Sequence, residues 1–344
     1  MGGGRLGHRP ALDGIRGVAI LAVVGFHLAG WPAGGAYGVD LFFVLSGFLI
    51  TTLLLEEQNK AGRISLRGFY VRRARRLFPA LAAMLLVIAA AGPIAFGAKR
   101  TIEIVASSLY AANFVRAFAA SDPLAVGPAG HLWSLAQEEQ FYLVWPLILI
   151  VFLRFRLRGL LVGALLMFVG LCVYRWALAA NGATFSRLYF GPDVRADGLM
   201  LGCAAAFAHA SGVRVSGRWG WVGLAVFVLA CLPAHPATVA SQVRLLPVVE
   251  IGSALLILAV LQRGTLERML AFGPLVWLGT ISYSLYLWHY FAWWATGHRA
   301  VLALPISVVL ALASYHLVER RFRHRRSKAA VADHASPRTV LVEA

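Results

Sequence analysis

The 344-residue chain is 60% hydrophobic and carries 32 Lys and Arg against 15 Asp and Glu, a formal charge of +17. Its mean hydropathy of +0.73 lies far from the roughly half-apolar make-up of soluble domains and excludes an ordinary water-soluble fold. A charge this positive would point to nucleic acid in a soluble protein, but here Lys and Arg stand mostly in short runs between apolar segments, the positive-inside signature of a membrane protein.

The opening MGGGRLGHRPALDG leads into an apolar stretch longer than a signal-peptide core, with no clear small-residue cleavage site. The first hydrophobic segment is therefore expected to stay as an anchor. Ten segments are apolar enough to cross a hydrocarbon core of about 30 Å. They are 15–30, 37–55, 77–97, 133–153, 159–180, 194–210, 219–234, 244–262, 272–294 and 299–319. An eleventh candidate, 102–118, contains Glu103, Asn113 and Arg116.

Loop charge decides the eleventh. The loop 56–76 carries Lys60, Arg63, Arg67, Arg72, Arg73, Arg75 and Arg76, so it is expected in the cytoplasm, which places the N-terminus there too. If 102–118 does not cross, the later basic loops around Arg154, Arg214, Arg263 and Arg320 also fall inside. If it crosses, they all move outside and the rule fails. The expectation is an all-α, polytopic transmembrane bundle of about ten spans, with both termini cytoplasmic. Residues 1–326 form that domain, 327–344 a short disordered cytoplasmic tail, and 97–132 an outer loop with a short interfacial or re-entrant helix. Residues 60–76 read as an amphipathic helix lying on the membrane, with Phe69, Tyr70 and Leu77 against lipid.

Ionisable residues inside a span are costly and mark candidate sites. In the first span Arg16 and His27 lie eleven residues apart, close to three turns, so both point from one face about 16 Å apart along the axis. Asp13 falls on nearly the same stripe. The plainer reading of Arg16 is snorkelling to headgroups. The second span opens with Asp40 in YGVDLFFVLSGFLIT, which is either functional or an outer-end charge reaching water, while Ser46 and Gly47 suit close helix packing. In HLWSLAQEEQFYLVWPLIL, Ser134, Glu138, Tyr142 and Trp145 share a face. Of the adjacent Glu138 and Glu139, Glu138 is expected to face the interior. Asp193 and Asp197 share a face at the sixth span with Arg195 roughly opposite, either as an ion-pair cluster or as site residues. In LGTISYSLYLWHYF, Ser282, Tyr286 and His289 form one stripe and Tyr283 and Tyr290 another, unless these aromatics are only an interfacial belt. Cys172, Cys203 and Cys231 imply neither a disulfide framework nor a metal site.

In this orientation His27, Asp40, Glu138 and His289 fall toward the outer half, and Arg16 with Arg72, Arg73, Arg75 and Arg76 toward the inner face. The arginines can hold donor phosphates through charge-assisted hydrogen bonds. A neutral histidine can take a proton from a hydroxyl near pH 7, with a carboxylate to orient it.

Seven stretches, LDGIRGVAILAVVGFH, GVDLFFVLSGFLIT, FYVRRARRLFPAL, HLWSLAQEEQFYLVWPL, RADGLMLG, ISYSLYLWH and YHLVERRF, together resemble acyltransferase family 3, in the family's order and over nearly the whole chain. Arg16 and His27 reproduce the family's arginine, ten residues, histidine pattern, regarded there as essential for transfer. Glu138 falls on its acidic position after Trp-Ser. The resemblance implies about ten helices in a bacterial plasma membrane and transfer of an acetyl or longer acyl group from acyl-coenzyme A; no bound cofactor, metal or nucleic acid is expected. Family acceptors include lipopolysaccharide and other glycans, peptidoglycan, osmoregulated glucans and macrolides. Ser134, Tyr142, Asp197, Tyr286 and His289 join the arginines as candidate substrate contacts. Many members add a C-terminal extracytoplasmic esterase-like domain, and a chain that stops soon after its last span is expected to lack it. Val-Glu-Arg-Arg stands where the family often has proline after the acid. A transporter or flippase would also suit ten helices with buried charge, but no inverted repeat or pair of broken helices is seen in the two halves. A non-catalytic membrane subunit would have no use for the Arg16 and His27 pairing.

Overall fold

The computed structural model describes residues 6–95, 100–119, 127–232 and 238–322, and among them every regular element is helical. The predicted tail 327–344 lies outside the described residues, as do the ends of the third and seventh predicted spans. The helices are α1 (Pro10–Ala29), α2 (Tyr37–Ala61), α3 (Leu66–Ala95), α4 (Arg100–Ser108), α5 (Ala112–Phe118), α6 (Trp133–Phe152) and α7 (Leu157–Ala180). There follow α8 (Phe185–Phe190), α9 (Asp197–Ala210), α10 (Gly217–Cys231), α11 (Leu246–Ala259), α12 (Thr265–Leu270), α13 (Gly273–Ala295) and α14 (Ala300–Ala313). Single 3-10 or π turns extend α6 back to Gly130, α11 back to Ser241 and α14 on to Glu319.

Seven of the helical stretches are long and apolar enough to cross a membrane: Pro10–Ala29, Tyr37–Ala61, Leu66–Ala91, Gly130–Phe152, Leu157–Ala180, Ser241–Ala259 and Ala300–Phe322. The chain is a multi-pass membrane protein. The other three predicted spans appear as α9, α10 and α13. The first two have only 14 and 15 residues. The third has 23, but its serines, tyrosines and histidine lower its hydropathy. The segment 102–118 breaks at Tyr110, whose φ of 51° lies in the left-handed region where a helix cannot continue. The nine- and seven-residue helices on either side are each too short to cross.

Helices α7 and α14 present apolar side chains outward, such as Leu166 and Val301, as lipid-facing helices do. The interior is built by α1 against α13 and α2 against α9, with Ile20, Val23, Phe43, Leu199, Leu285 and Leu287 in one buried cluster. Small residues permit these approaches. A Cβ on Gly17 would strike the Leu275 carbonyl, and one on Gly47 the Leu199 carbonyl, so both crossings depend on backbone meeting backbone. Gly47→Val should cost about 1–3 kcal/mol by overpacking. A lowered thermal midpoint in detergent checks this, and an unchanged one would mean that α2 and α9 are not so close.

One expectation is corrected. Residues 66–95 form one continuous helix rather than a surface helix followed by a span. Phe69 and Leu77 are buried in the bundle, not set against lipid, and the Tyr70 hydroxyl donates to the Leu143 carbonyl at 2.7 Å. The stripe Phe69, Arg73, Arg76, Leu77 and Ala80 recurs at helical spacing, which turns it toward the other helices.

Candidate active site

Helices α1, α2, α3, α6 and α13 enclose a cavity with about 610 Å³ of empty space, counting its open mouth. Its polar lining is Arg16, Ser46, Arg73, Arg76, Ser134, Glu138, Tyr142, Ser282, Tyr283 and Tyr286. Helices α3, α6 and α13 deliver most of these residues at three- or four-residue spacing, while α1 and α2 add Arg16 and Ser46. The predicted stripes Ser134, Glu138, Tyr142 and Ser282, Tyr286 both line it. Trp145 instead turns its indole N–H to the Thr51 hydroxyl at 2.9 Å.

Ser46 was expected to serve packing, yet its hydroxyl donates to Glu138 at 2.7 Å. Glu139 accepts from Arg73 at 3.2 Å, and that guanidinium lies 3.5 Å over the Tyr142 ring. Glu138, not Glu139, forms part of the wall. Arg16 stands 3.8 Å from Asp13, as their shared stripe predicts, and keeps 23% of its side chain exposed. Of the five arginines on α3, the cavity receives only Arg73 and Arg76. Arg72 pairs with Glu57 at 2.9 Å and Arg75 is exposed, because the helix points positions 72 and 75 away from the stripe of 73 and 76.

Beyond the cavity, three imidazoles meet. His27 Nδ1 lies 3.0 Å from His289 Nε2, and the Tyr290 ring is 5.0 Å from His27. His289 is fully buried, a core residue rather than a belt member. The third is His131, which sequence reasoning missed. It is 2% exposed, its ring is 5.1 Å from His289, and neither ring nitrogen has a hydrogen-bond partner among the described residues. A signal was present, since 131, 134, 138 and 142 continue one helical stripe. Tyr286 joins cluster and cavity. Its hydroxyl donates to the His131 carbonyl at 2.8 Å and meets the Ser134 hydroxyl at 2.5 Å. With its one proton so used, it accepts from Ser134. Outside the spans, burial pushes the Tyr110 and Tyr189 phenols above the usual range, so both stay protonated.

Asp40 and Asp197 do not line this cavity. Asp40 is ion-paired with Arg195, and Asp197 with Arg175, all four side chains at most 2% exposed. Glu250 lies fully buried beside Gly198. The predicted facing of Asp193 and Asp197 assumed a helix through 193–197, but α9 starts only at Asp197. The preceding turn sends Arg195 inward and Asp193 to the outer Arg187 and Tyr174. The three cysteines are free, and no group among the described residues is arranged to hold a metal.

A family described as an acyltransferase domain, acyltransferase family 3, matches residues 9–316. The chain is 33% identical over 350 aligned positions to the peptidoglycan O-acetyltransferase OatA of Listeria monocytogenes, covering 91% of this chain and 56% of that protein. A putative O-acetyltransferase of Staphylococcus aureus is 31% identical, with 94% and 59% covered. The putative peptidoglycan O-acetyltransferase YrhL of Bacillus subtilis is 31% identical, with 91% and 55% covered. The chain thus spans little more than half the length of these relatives. No solved structure matches it.

Proposed function

The chain belongs to acyltransferase family 3, and on that premise we propose that it moves an acetyl or other short acyl group from acyl-coenzyme A to a hydroxyl of a carbohydrate acceptor. The observation that carries this reading is the shared wall. Three arginines and Glu138 face one cavity, and Tyr286 in its lining packs 5.5 Å, ring to ring, from His289, the partner of His27. Guanidinium groups suit the phosphates of coenzyme A, and an imidazole suits the proton of a hydroxyl. The relatives' names give peptidoglycan as their substrate, which favours a cell-wall saccharide over a macrolide as acceptor. With both termini cytoplasmic, the arginines lie toward the cytoplasm, where coenzyme A is, and the histidines toward the outer face.

In this reading His27 is the general base, and Arg16, Arg73 and Arg76 position the donor. Glu138 shapes the cavity through Ser46. Asp40 and Asp197 hold the bundle together rather than take part in the chemistry. The test is transfer of labelled acetyl from acetyl-coenzyme A to peptidoglycan oligosaccharides by purified protein in micelles. Label that never reaches any saccharide would sink the proposal. Arg73→Gln and Arg76→Gln should each raise the donor KM about tenfold, as loss of a charge-assisted contact does. Arg75→Gln should stay within about twofold. Equal effects at all three positions would show that the cavity is not the donor site.

A further inference from the structure

His27 and His289 form a hydrogen-bonded pair whose proton positions follow from geometry. His289 Nδ1 lies 2.7 Å from the Tyr286 carbonyl oxygen and 3.2 Å from that of Leu285. Both carbonyls belong to the preceding turn of α13, where a helical side chain naturally folds back. A carbonyl oxygen only accepts, so Nδ1 carries the proton. His289 is fully buried, and neither imidazole has a carboxylate partner among the described residues. An unpaired charge there would be costly, so the ring is neutral. Its Nε2 then offers only a lone pair, and His27 Nδ1, 3.0 Å away, must donate to it. A neutral His27 that donates from Nδ1 has its own lone pair on Nε2.

We propose that His289 is the positioning residue for His27: the relay from the Tyr286 carbonyl through His289 fixes His27 as the Nδ1–H tautomer and leaves Nε2 free to take the acceptor proton. This rests on the reading of His27 as the base. The acceptor hydroxyl gives its proton to Nε2, and its oxygen forms the ester bond to the acyl carbon. The thioester C–S bond breaks with its electron pair on sulfur, and the thiolate takes the proton back from Nε2. His27 ends as it began. A Ser-His-Asp triad achieves the same orientation with a carboxylate. Here the orienting group is neutral, so it sets direction without strongly stabilising the imidazolium, and the proton is readily returned to sulfur. Tyr290 and His131 close around the pair with ring separations of 5.0 Å from His27 and 5.1 Å from His289.

The test uses full-length protein labelled with [15N]histidine in micelles, with the His27 signals assigned by their loss in His27→Ala. The wild type should show His27 protonated at Nδ1 and not at Nε2. His289→Leu removes the acceptor, so His27 should lose this single tautomer. Its kcat should fall about 10²–10⁴-fold while the donor KM stays within about twofold. His289→Gln, whose amide oxygen can accept from Nδ1–H, should keep the tautomer and recover at least about tenfold of the lost kcat. A wild-type His27 proton on Nε2, or an unchanged kcat in His289→Leu, overturns the proposal. If His289→Leu does not fold, the wild-type tautomer and the His289→Gln rescue still decide it. Transfer persisting in His27→Ala beside an Nδ1–H wild type would instead defeat the reading of His27 as base, while the tautomer assignment stood.

Discussion

Replacing His27 with alanine is expected to lower acyl transfer at least about 10³-fold, within the range that loss of a general base produces. The side chain is only half-buried at the end of α1, and its side-chain hydrogen-bond partner is His289, so the bundle should survive the change. Donor binding should survive as well, because Arg16, Arg73 and Arg76 line the cavity and His27 does not. The signature is thus a collapse of kcat with the donor KM and the thermal midpoint near wild type. Membrane expression, donor KM and labelled-acetyl transfer measured on one preparation give all three. A variant that keeps more than about a tenth of the wild-type kcat would remove His27 from the chemistry. A variant that loses donor binding instead would mean that the histidine cluster and the arginine cavity are one donor site.

The second large effect concerns stability. Asp40→Ala should cost about 3–5 kcal/mol by stranding the Arg195 guanidinium in the bundle. That is a large share of the roughly 5–15 kcal/mol that holds a domain folded. Arg195 and Asp40 are almost completely enclosed, so water cannot replace the missing partner. The expected result is a sharp drop in the thermal midpoint or in the yield of monodisperse protein. The double variant Asp40→Asn with Arg195→Gln removes both charges together and should recover most of the loss. It also separates two roles for Asp40. If it folds and transfers acetyl within about tenfold of wild type, Asp40 is structural. If it folds but is inactive, Asp40 belongs to the chemistry after all. An Asp40→Ala protein as stable as wild type would mean that the pair contributes nothing.

Much of the site was legible because helical periodicity is a local property. Arg16 and His27 on one face of α1, Ser134, Glu138 and Tyr142 on α6, and Ser282, Tyr286 and His289 on α13 all follow from 3.6 residues per turn. The choice of Glu138 over Glu139 also rested on that stripe. Other placements depended on how the helices pack. Arg72 to Arg76 formed one basic run, and only the rotation of α3 against its neighbours decides that 73 and 76 face the cavity. Arg195 sits in a turn, where the helical facing rule has no meaning. His131 begins its helix, and its importance depends on α1 and α13 bringing two more rings beside it.

By itself the amino-acid sequence determined the environment and the helices, since apolar segment length and loop charge act residue by residue along the chain. It also determined which side of most helices is polar. The tertiary structure alone decided the pairings: Asp40 with Arg195 across 155 residues, Ser46 with Glu138 across 92, His27 with His289 across 262. Such contacts depend on the order and rotation of packed helices. These are set by where small residues such as Gly17 and Gly47 let backbones touch, a property of two surfaces together that neither segment carries alone.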